Sequence, residues 1–500
     1  IIDTAVDRWN TDASKPDGQT VEKGGAGAVV PPYSSRNVLT YTGSDASPAT
    51  PVDLISNANH RIEDANTAIT KTLLGDATMS DQTRTDIIQW IRGQDIEDED
   101  GNNITSENRW AFQDPLHSQL RPVTYGEDLS QTDPDKQTII KLFIGTNDGA
   151  LRMIDAESGA EDWIFYPQTV LGDQNARRIN ANGPHLYGMD GSPSIWIQDQ
   201  SLDADGVTII DKSDGKIDPV IGDFVRVIIG MRRGGAAIYA LDVTPDALIT
   251  ASGQPVLPKF MWRIDPGNAE FNALGQTWSR PKVTDIRFGT GAGGNNVAKT
   301  VLIFGGGYDD SQDAVTTNLA NVDEDEVAFG PDAVGNAIYI VDPNDGNRLW
   351  WASDPGTGAD QPDLALPGMD YSFPADFALL DSNGDGETDR LYATDVGGQI
   401  WRIDLSPTLR EDTNSGSTGA RLAALSDYSA TPLEIDKRKF FYSVDVVRIR
   451  DTQNSFKADF DVIAAVSGNR AHPLDLDVQN RVFAIRDYQA DVLIELDASN

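Results

Sequence analysis

Leu391-Tyr-Ala-Thr-Asp-Val-Gly-Gly-Gln-Ile-Trp-Arg-Ile-Asp404 decides the fold. It reads as an apolar strand, a Gly-rich turn and a second strand ending in an aromatic and, shortly after, an Asp. Strand-forming residues bounded by Gly and Asp are the signal of two paired strands. The same unit recurs at 142–155, at 227–242, at 301–307 resumed by 337–342, and at 462–468 joined to 481–487. Trp163 and Trp350 follow two of these copies at the same spacing. A small sheet cannot bury both of its faces alone, and radial stacking buries them between neighbours. Five copies exceed what a β-sandwich needs. The expected fold is therefore all-β, a β-propeller whose repeats carry loop insertions.

Outward from the repeats, the chain divides into a lead-in, 1–110, and a propeller, 111–500. Residues 1–54 are rich in Gly, Pro, Ser, Thr and Asp and read as extended chain with little core of its own. Ile55, Ile62, Ala65, Ala68, Ile69, Leu73 and Leu74 recur at roughly helical spacing up to Gly75. A second helix is predicted from an N-cap at Ser80, burying Ile87, Ile88, Trp90 and Ile91 and ending at Gly93.

Between two short apolar stretches that read as strands, 377–380 and 390–394, lies Asp381-Ser-Asn-Gly-Asp-Gly-Glu-Thr-Asp389. Asp381, Asn383, Asp385 and Asp389 place side-chain oxygens at positions 1, 3, 5 and 9, with Gly386 at 6. Glu387 at position 7 offers its carbonyl. Alternate oxygens from a tight loop are what Ca²⁺ takes, six to eight of them at about 2.3–2.6 Å. The twelfth position is Tyr392, so the bidentate Glu of an EF-hand is absent, and the flanks are strands rather than helices. Asp389 takes that place. An acidic solvated turn is the plain alternative. A second acidic loop offers Asp98, Asp100, Asn102 and Ser106 at positions 1, 3, 5 and 9, but its glycine falls at position 4. It reads as a solvated linker or a second calcium site.

The chain has 500 residues, 39% hydrophobic, a formal net charge of −38 and no cysteine. That charge excludes a nucleic-acid binder, whose phosphates need Lys and Arg. It disfavours anionic lipid. The missing cysteines exclude disulfides, thiolate metal sites and cysteine nucleophiles. No apolar run approaches the ~18 residues of a membrane span. Ile1 reads as a processed end or a boundary.

Several further stretches carry a resemblance. They are 114–118 (Asp-Pro-Leu-His-Ser), 147–149 (Asn-Asp-Gly), 189–193 (Met-Asp-Gly-Ser-Pro), 230–235 (Gly-Met-Arg-Arg-Gly-Gly) and 239–244 (Tyr-Ala-Leu-Asp-Val-Thr). They continue with 274–281 (Leu-Gly-Gln-Thr-Trp-Ser-Arg-Pro), 304–309 (Phe-Gly-Gly-Gly-Tyr-Asp), the 381–389 loop, 397–404, 467–470 (Ser-Gly-Asn-Arg) and His472-Pro473. Taken in order, this set resembles the C-terminal propeller of the PilY-type proteins, calcium-binding adhesins at the tips of bacterial type IV pili. The Trp-bearing turns resemble quinoprotein repeats, in which the Trp packs between blades. The resemblance implies a modified, about seven-bladed propeller with calcium (Ca2+) held by Asp381, Asn383, Asp385, Glu387 and Asp389. It also implies an exported protein at the cell surface or pilus tip, or associated with the outer membrane, with minor pilins and a host or abiotic surface as partners. The implied roles are pilus extension against retraction, twitching motility and adhesion. The chain has no Arg-Gly-Asp tripeptide, and no N-terminal von Willebrand-like domain is recognisable.

Catalysis is not expected. His60, His117, His185 and His472 are scattered and read as strand-end or turn hydrogen bonders. No nucleophile elbow, phosphate-cradling loop or helical His pair is present. Arg232 and Arg233 read as a blade-capping ion pair or as a contact for a partner's carboxylates. Two other functions fit this architecture. One is a pyrroloquinoline-quinone dehydrogenase, which the missing adjacent cysteines disfavour. The other is an outer-membrane assembly scaffold, which needs no calcium.

Overall fold

The structure is a computed structural model. It describes residues 6–10, 24–183, 185–289, 297–313, 315–317, 325–327, 330–356, 360–407, 409, 416–427, 434–450, 459–470, 473–474 and 476–488. The chain forms two compact units, Ile1–Ile229 with Tyr239–Arg263, and Gly230–Ile238 with Ile264–Asn500.

The first unit is built on two five-stranded sheets. In spatial order the first runs Val38–Leu39, Glu161–Phe165, Ala150–Asp155, Thr138–Thr146 and Arg121–Glu127. The second runs Val52–Asp53, Lys259–Ile264, Ile238–Asp242, Phe224–Gly230 and Ser194–Gln198. The second unit holds three more. The third sheet runs Lys282–Phe288, Val297–Gly305, Ala337–Val341, Arg348–Ser353 and Leu364–Ala365. The fourth runs Ala378–Leu380, Arg390–Thr394, Gln399–Asp404 and Thr418–Ala424, and the fifth Asp445–Ile449, Phe460–Val466 and Val482–Asp487. Each of the five sequence repeats supplies one paired strand couple of one sheet, central in the first four and reaching the edge in the fifth. The described residues form five such blades; the figure of about seven belongs to the resemblance.

The middle strands show why these residues make blades. Every residue of Ala150–Asp155, Ala337–Val341 and Arg390–Thr394 is buried, so both faces of the strand are covered. Successive side chains of a strand point to opposite faces. Leu391 and Ala393 accordingly enter a core shared with Ile303, Ile340 and Trp350 of the third sheet. Tyr392, between them, joins Ile463 and Ala465 of the fifth. Trp350 and Trp401, both at the ends of repeats, are fully buried in the core between the third and fourth sheets. A tryptophan there removes a large apolar surface from water, which is the main favourable term in such packing.

A buried ionic lattice lies between the fourth and fifth sheets. Arg390 Nε donates to Asp404 at 2.6 Å and its Nη1 to Asp461 at 3.3 Å. Arg402 donates to Asp404 and to Asp487, each at 2.7 Å. The Tyr392 hydroxyl lies 2.9 Å from Asp487 and 3.1 Å from Asp461. Buried charges survive only when paired and hydrogen-bonded in this way.

The predicted helix at Ser80 is present as Asp81–Arg92. Ser80 Oγ accepts from the Thr83 amide at 3.0 Å, and Gly93 closes the helix in the left-handed region at φ 103°. Ile87, Ile88, Trp90 and Ile91 are buried as expected. The helical reading of 55–75 is overturned. The segment holds only the 3-10 turn Ala58–His60 and further turns. Asn66 is the physical reason. Its amide donates to the carbonyls of Asn59 and Arg61, at 2.9 and 2.6 Å, and its oxygen accepts from the Ala68 amide. Such side-chain bonds give the backbone an alternative to the helix. The lead-in also shares sheets with strands much later in the chain. Val38–Leu39 pairs in parallel with Glu161–Phe165, and Val52–Asp53 pairs with Lys259–Ile264. Val38, Leu39 and Leu54 are fully buried.

Candidate metal centre

The 381–389 loop closes the hairpin of Ala378–Leu380 and Arg390–Thr394, whose register pairs Leu380 with Arg390. Gly384 and Gly386 adopt φ of 82° and 91°, the left-handed region that glycine enters without strain. They turn the chain around the Asp381 side chain. Asp381 Oδ1 accepts from the Gly384 amide at 2.6 Å, and Oδ2 from Gly386 at 2.8 Å. This backbone donation, that of Gly386 foremost, holds the Asp381 carboxyl below its ordinary range. The group is ionised at neutral pH and aimed into the turn.

The remaining predicted ligands lie on the same wrap. Asn383 Oδ1 accepts from the Asp385 amide at 2.8 Å, and Asp385 Oδ1 from the Glu387 amide at 3.0 Å. Asp389 takes the Ser382 amide at 2.9 Å on one oxygen and the Ser382 hydroxyl at 2.8 Å on the other. Glu387 turns its carboxylate away from the loop. That carboxylate accepts from Arg287 Nε at 2.7 Å, which leaves the residue's carbonyl as its contribution to the turn. The donor set is hard oxygen throughout, and that chemistry fits Ca²⁺. The three carboxylates are not drawn together. Among the described residues, the group whose oxygens all lie within 4.8 Å of one another is Asp95, Asp100 and Glu107. In the 381–389 loop each carboxylate is instead spread onto backbone amides.

Two neighbouring blades grip the loop. From Lys282–Phe288 of the third sheet, the Asp285 carbonyl accepts from the Thr388 amide at 2.7 Å. The hydroxyls of Thr284 and Thr388 are 2.7 Å apart. Arg287 reaches Asp385 Oδ2 at 3.2 Å as well as Glu387. From the fifth sheet, Arg448 Nη1 lies 3.5 Å from the Ser382 carbonyl. A cavity of about 420 Å³ opens beside the loop, with Arg287, Asn383, Glu387, Arg390 and Asp404 in its wall.

Of the second acidic loop, the structure brings Asp100 to Asp95 and Glu107, not to Asn102 and Ser106 alone. Asn102 acts as a bridge, its amide donating to Asp100 at 2.9 Å and to Glu107 at 2.6 Å. Asp98, at φ 53°, accepts from the Asn103 amide. In this loop Asp98 closes a turn, and the carboxylates that come together are Asp95, Asp100 and Glu107. Sequence reasoning missed Asp95 and Glu107, which flank the loop, and Arg287, which lies in another blade.

His60 and His117 behave as the expected hydrogen bonders, while His185 is seen in a ring contact. His60 is buried, its Nδ1 3.2 Å from the Thr42 amide, and burial pushes its pKa down. His117 Nδ1 lies 2.7 Å from Asp190. His185 meets the Tyr187 ring edge-on. His472 lies outside the described residues. Arg233 pairs with Asp313 at 3.3 Å, and the Arg232 guanidinium sits 4.3 Å over the Trp278 ring.

No family model matches the chain. A type IV pilus biogenesis factor PilY1 homolog of Xylella fastidiosa is 25% identical over 266 residues, 53% of this chain and 14% of the homolog. PilY1 of Pseudomonas aeruginosa strain UCBPP-PA14 is 26% identical over 295 residues, 58% of this chain and 19% of PilY1. Over 53–58% of its length the chain is thus similar to PilY1 proteins. It spans only 14–19% of the length of these PilY1 proteins. The crystal structure of the Pseudomonas aeruginosa PilY1 C-terminal domain covers 73% of this chain and is itself 64% covered, at 19% identity and a TM-score of 0.41. Among the described residues, no helix is long and apolar enough to cross a membrane.

Proposed function

We propose that this chain is a calcium-binding propeller segment of a type IV pilus biogenesis factor. Its relatedness to PilY1 over 53–58% of its length supports the pilus assignment. The observation that carries the calcium assignment is the 381–389 wrap, an all-oxygen donor set on a hairpin held by its neighbours. Asp381, Asn383 and Asp385 supply side-chain oxygens, Glu387 its carbonyl, and Asp389 turns from Ser382 to complete the set. Bound calcium would neutralise three carboxylates that otherwise repel one another. The hairpin then stiffens one edge of a docking surface. On this reading the protein is exported, works at the pilus tip with the minor pilins, and promotes extension, twitching motility and attachment to host or abiotic surfaces.

The test is a calorimetric titration of the purified chain with CaCl₂. Wild type should bind, and Asp381→Ala should lose binding while keeping its circular-dichroism spectrum. Calcium at a hundred times Kd should stabilise the wild type by about 2.7 kcal/mol. Equal binding by Asp381→Ala sinks the site. In cells that carry the same substitution, pilus number and twitching should fall; unchanged piliation rejects the pilus role of calcium.

A further inference from the structure

Arg287 stands where a second cation would compete with calcium. It belongs to Lys282–Phe288 at the edge of the third sheet, about a hundred residues from the loop. Its Nε donates to Glu387 at 2.7 Å and its Nη2 to Asp385 Oδ2 at 3.2 Å. The two acceptors differ in what they offer. Glu387 gives the loop a carbonyl, so its carboxylate can stay on Arg287. Asp385 is a ligand through the very carboxylate that Arg287 holds. Its other oxygen accepts from the Glu387 amide. The nearby contacts of Thr388 with Asp285 and Thr284 keep this strand and the loop together, so Arg287 is held beside its acceptors.

We propose that Arg287 is a built-in counter-ion of the loop. In the calcium-free protein it neutralises Asp385 and Glu387 and keeps the acidic turn closed. When calcium binds, Asp385 leaves the guanidinium while Glu387 stays on it, anchoring the loop to the third sheet. Arg287 is thus a positioning residue that sets calcium affinity by opposing the divalent charge. A unit positive charge on a side chain next to the site of a divalent ion, in a water-like dielectric, would change affinity by roughly tenfold. This inference rests on the calcium reading above and adds the regulation of that site.

The experiment compares wild type, Arg287→Gln and Arg287→Lys by calorimetric titration with CaCl₂. Hydrogen exchange of the amides at 384–388 is followed in the calcium-free proteins. Arg287→Gln should bind calcium roughly tenfold tighter. Its calcium-free loop amides should exchange faster, because the acidic turn has lost its counter-ion. Arg287→Lys, which keeps the charge, should return affinity and exchange most of the way to wild type. Equal or weaker binding by Arg287→Gln, with wild type binding normally, overturns the inference and leaves the calcium site standing. A Lys variant that behaves like Gln also overturns it, since charge would then not be the cause. If wild type itself binds no calcium, the calcium reading falls and the inference falls with it.

Discussion

Asp332 is buried, with one carboxylate oxygen 2.6 Å from the Ser372 amide and the other 2.5 Å from Gln312 Nε2. Burial pushes its pKa from 3.8 up to about 6, and the charge of Asp309 acts in the same direction. The folded state therefore holds this proton more tightly than the unfolded state does. Stability from this group is present below the unfolded value and is lost as pH rises through the folded one. The loss amounts to roughly 3 kcal/mol between pH 3.8 and 7. Asp332→Asn removes the titration. Its amide group facing a donor has a cost, but that cost is the same at every pH and drops out of the comparison. Denaturant unfolding at about pH 4.5 and about pH 8 should show the variant gaining on wild type as pH rises; a parallel pH dependence would reject the assignment. Asp332 and Arg287 were not legible in the sequence, whereas Asp381 and Asp389 were. The latter two sit in one loop with fixed spacing. The former take their character from burial and from a partner strand far away in the chain, which local pattern does not record.

At the scale of elements, capping was legible and mid-segment periodicity was not. Ser80 and Gly93 bracket a helix because each end group meets a geometric demand that only a few residues satisfy. Over 55–75 the apolar spacing points the same way, yet Asn57, Asn59 and Asn66 bring competing hydrogen bonds inside the segment. Asn57 accepts from the Asn59 amide at 3.0 Å, closing the turn that replaces the helix. The cap argument makes a direct prediction. Ser80→Ala leaves the Thr83 amide without its acceptor and should cost about 1 kcal/mol. The cost should appear locally, as faster hydrogen exchange of amides in the first turn of Asp81–Arg92, with exchange in Arg390–Thr394 unchanged. Unchanged exchange in that first turn would show that the Ser80 side chain does not hold the start of the helix.

At the scale of the molecule, the five repeats were legible because each is one strand pair of one blade and repeats the same turn chemistry. The edge strands were not. Val38–Leu39 and Leu364–Ala365 are two residues long, too short for any alternation to show, and they join their sheets in parallel. Net charge was legible from composition, and it sets two responses to salt that run in opposite directions. A chain at −38 repels itself when compact. Between about 0.01 M and about 1 M salt the Debye length falls from about 30 to about 3 Å. The ion pairs that hold blades together, Arg390–Asp461 and Arg402–Asp487, are almost wholly buried and escape most of that screening. Raising NaCl should therefore raise the thermal midpoint of the calcium-free protein, because repulsion is screened while the buried pairs persist. The same salt should weaken calcium binding at the exposed 381–389 loop, since attraction of the acidic chain for a divalent cation is screened too. Thermal melts without calcium and calorimetric titrations across one salt series measure both. A midpoint that falls with salt would mean that exposed ion pairs such as Arg287–Glu387, not net repulsion, dominate the charge balance of the fold.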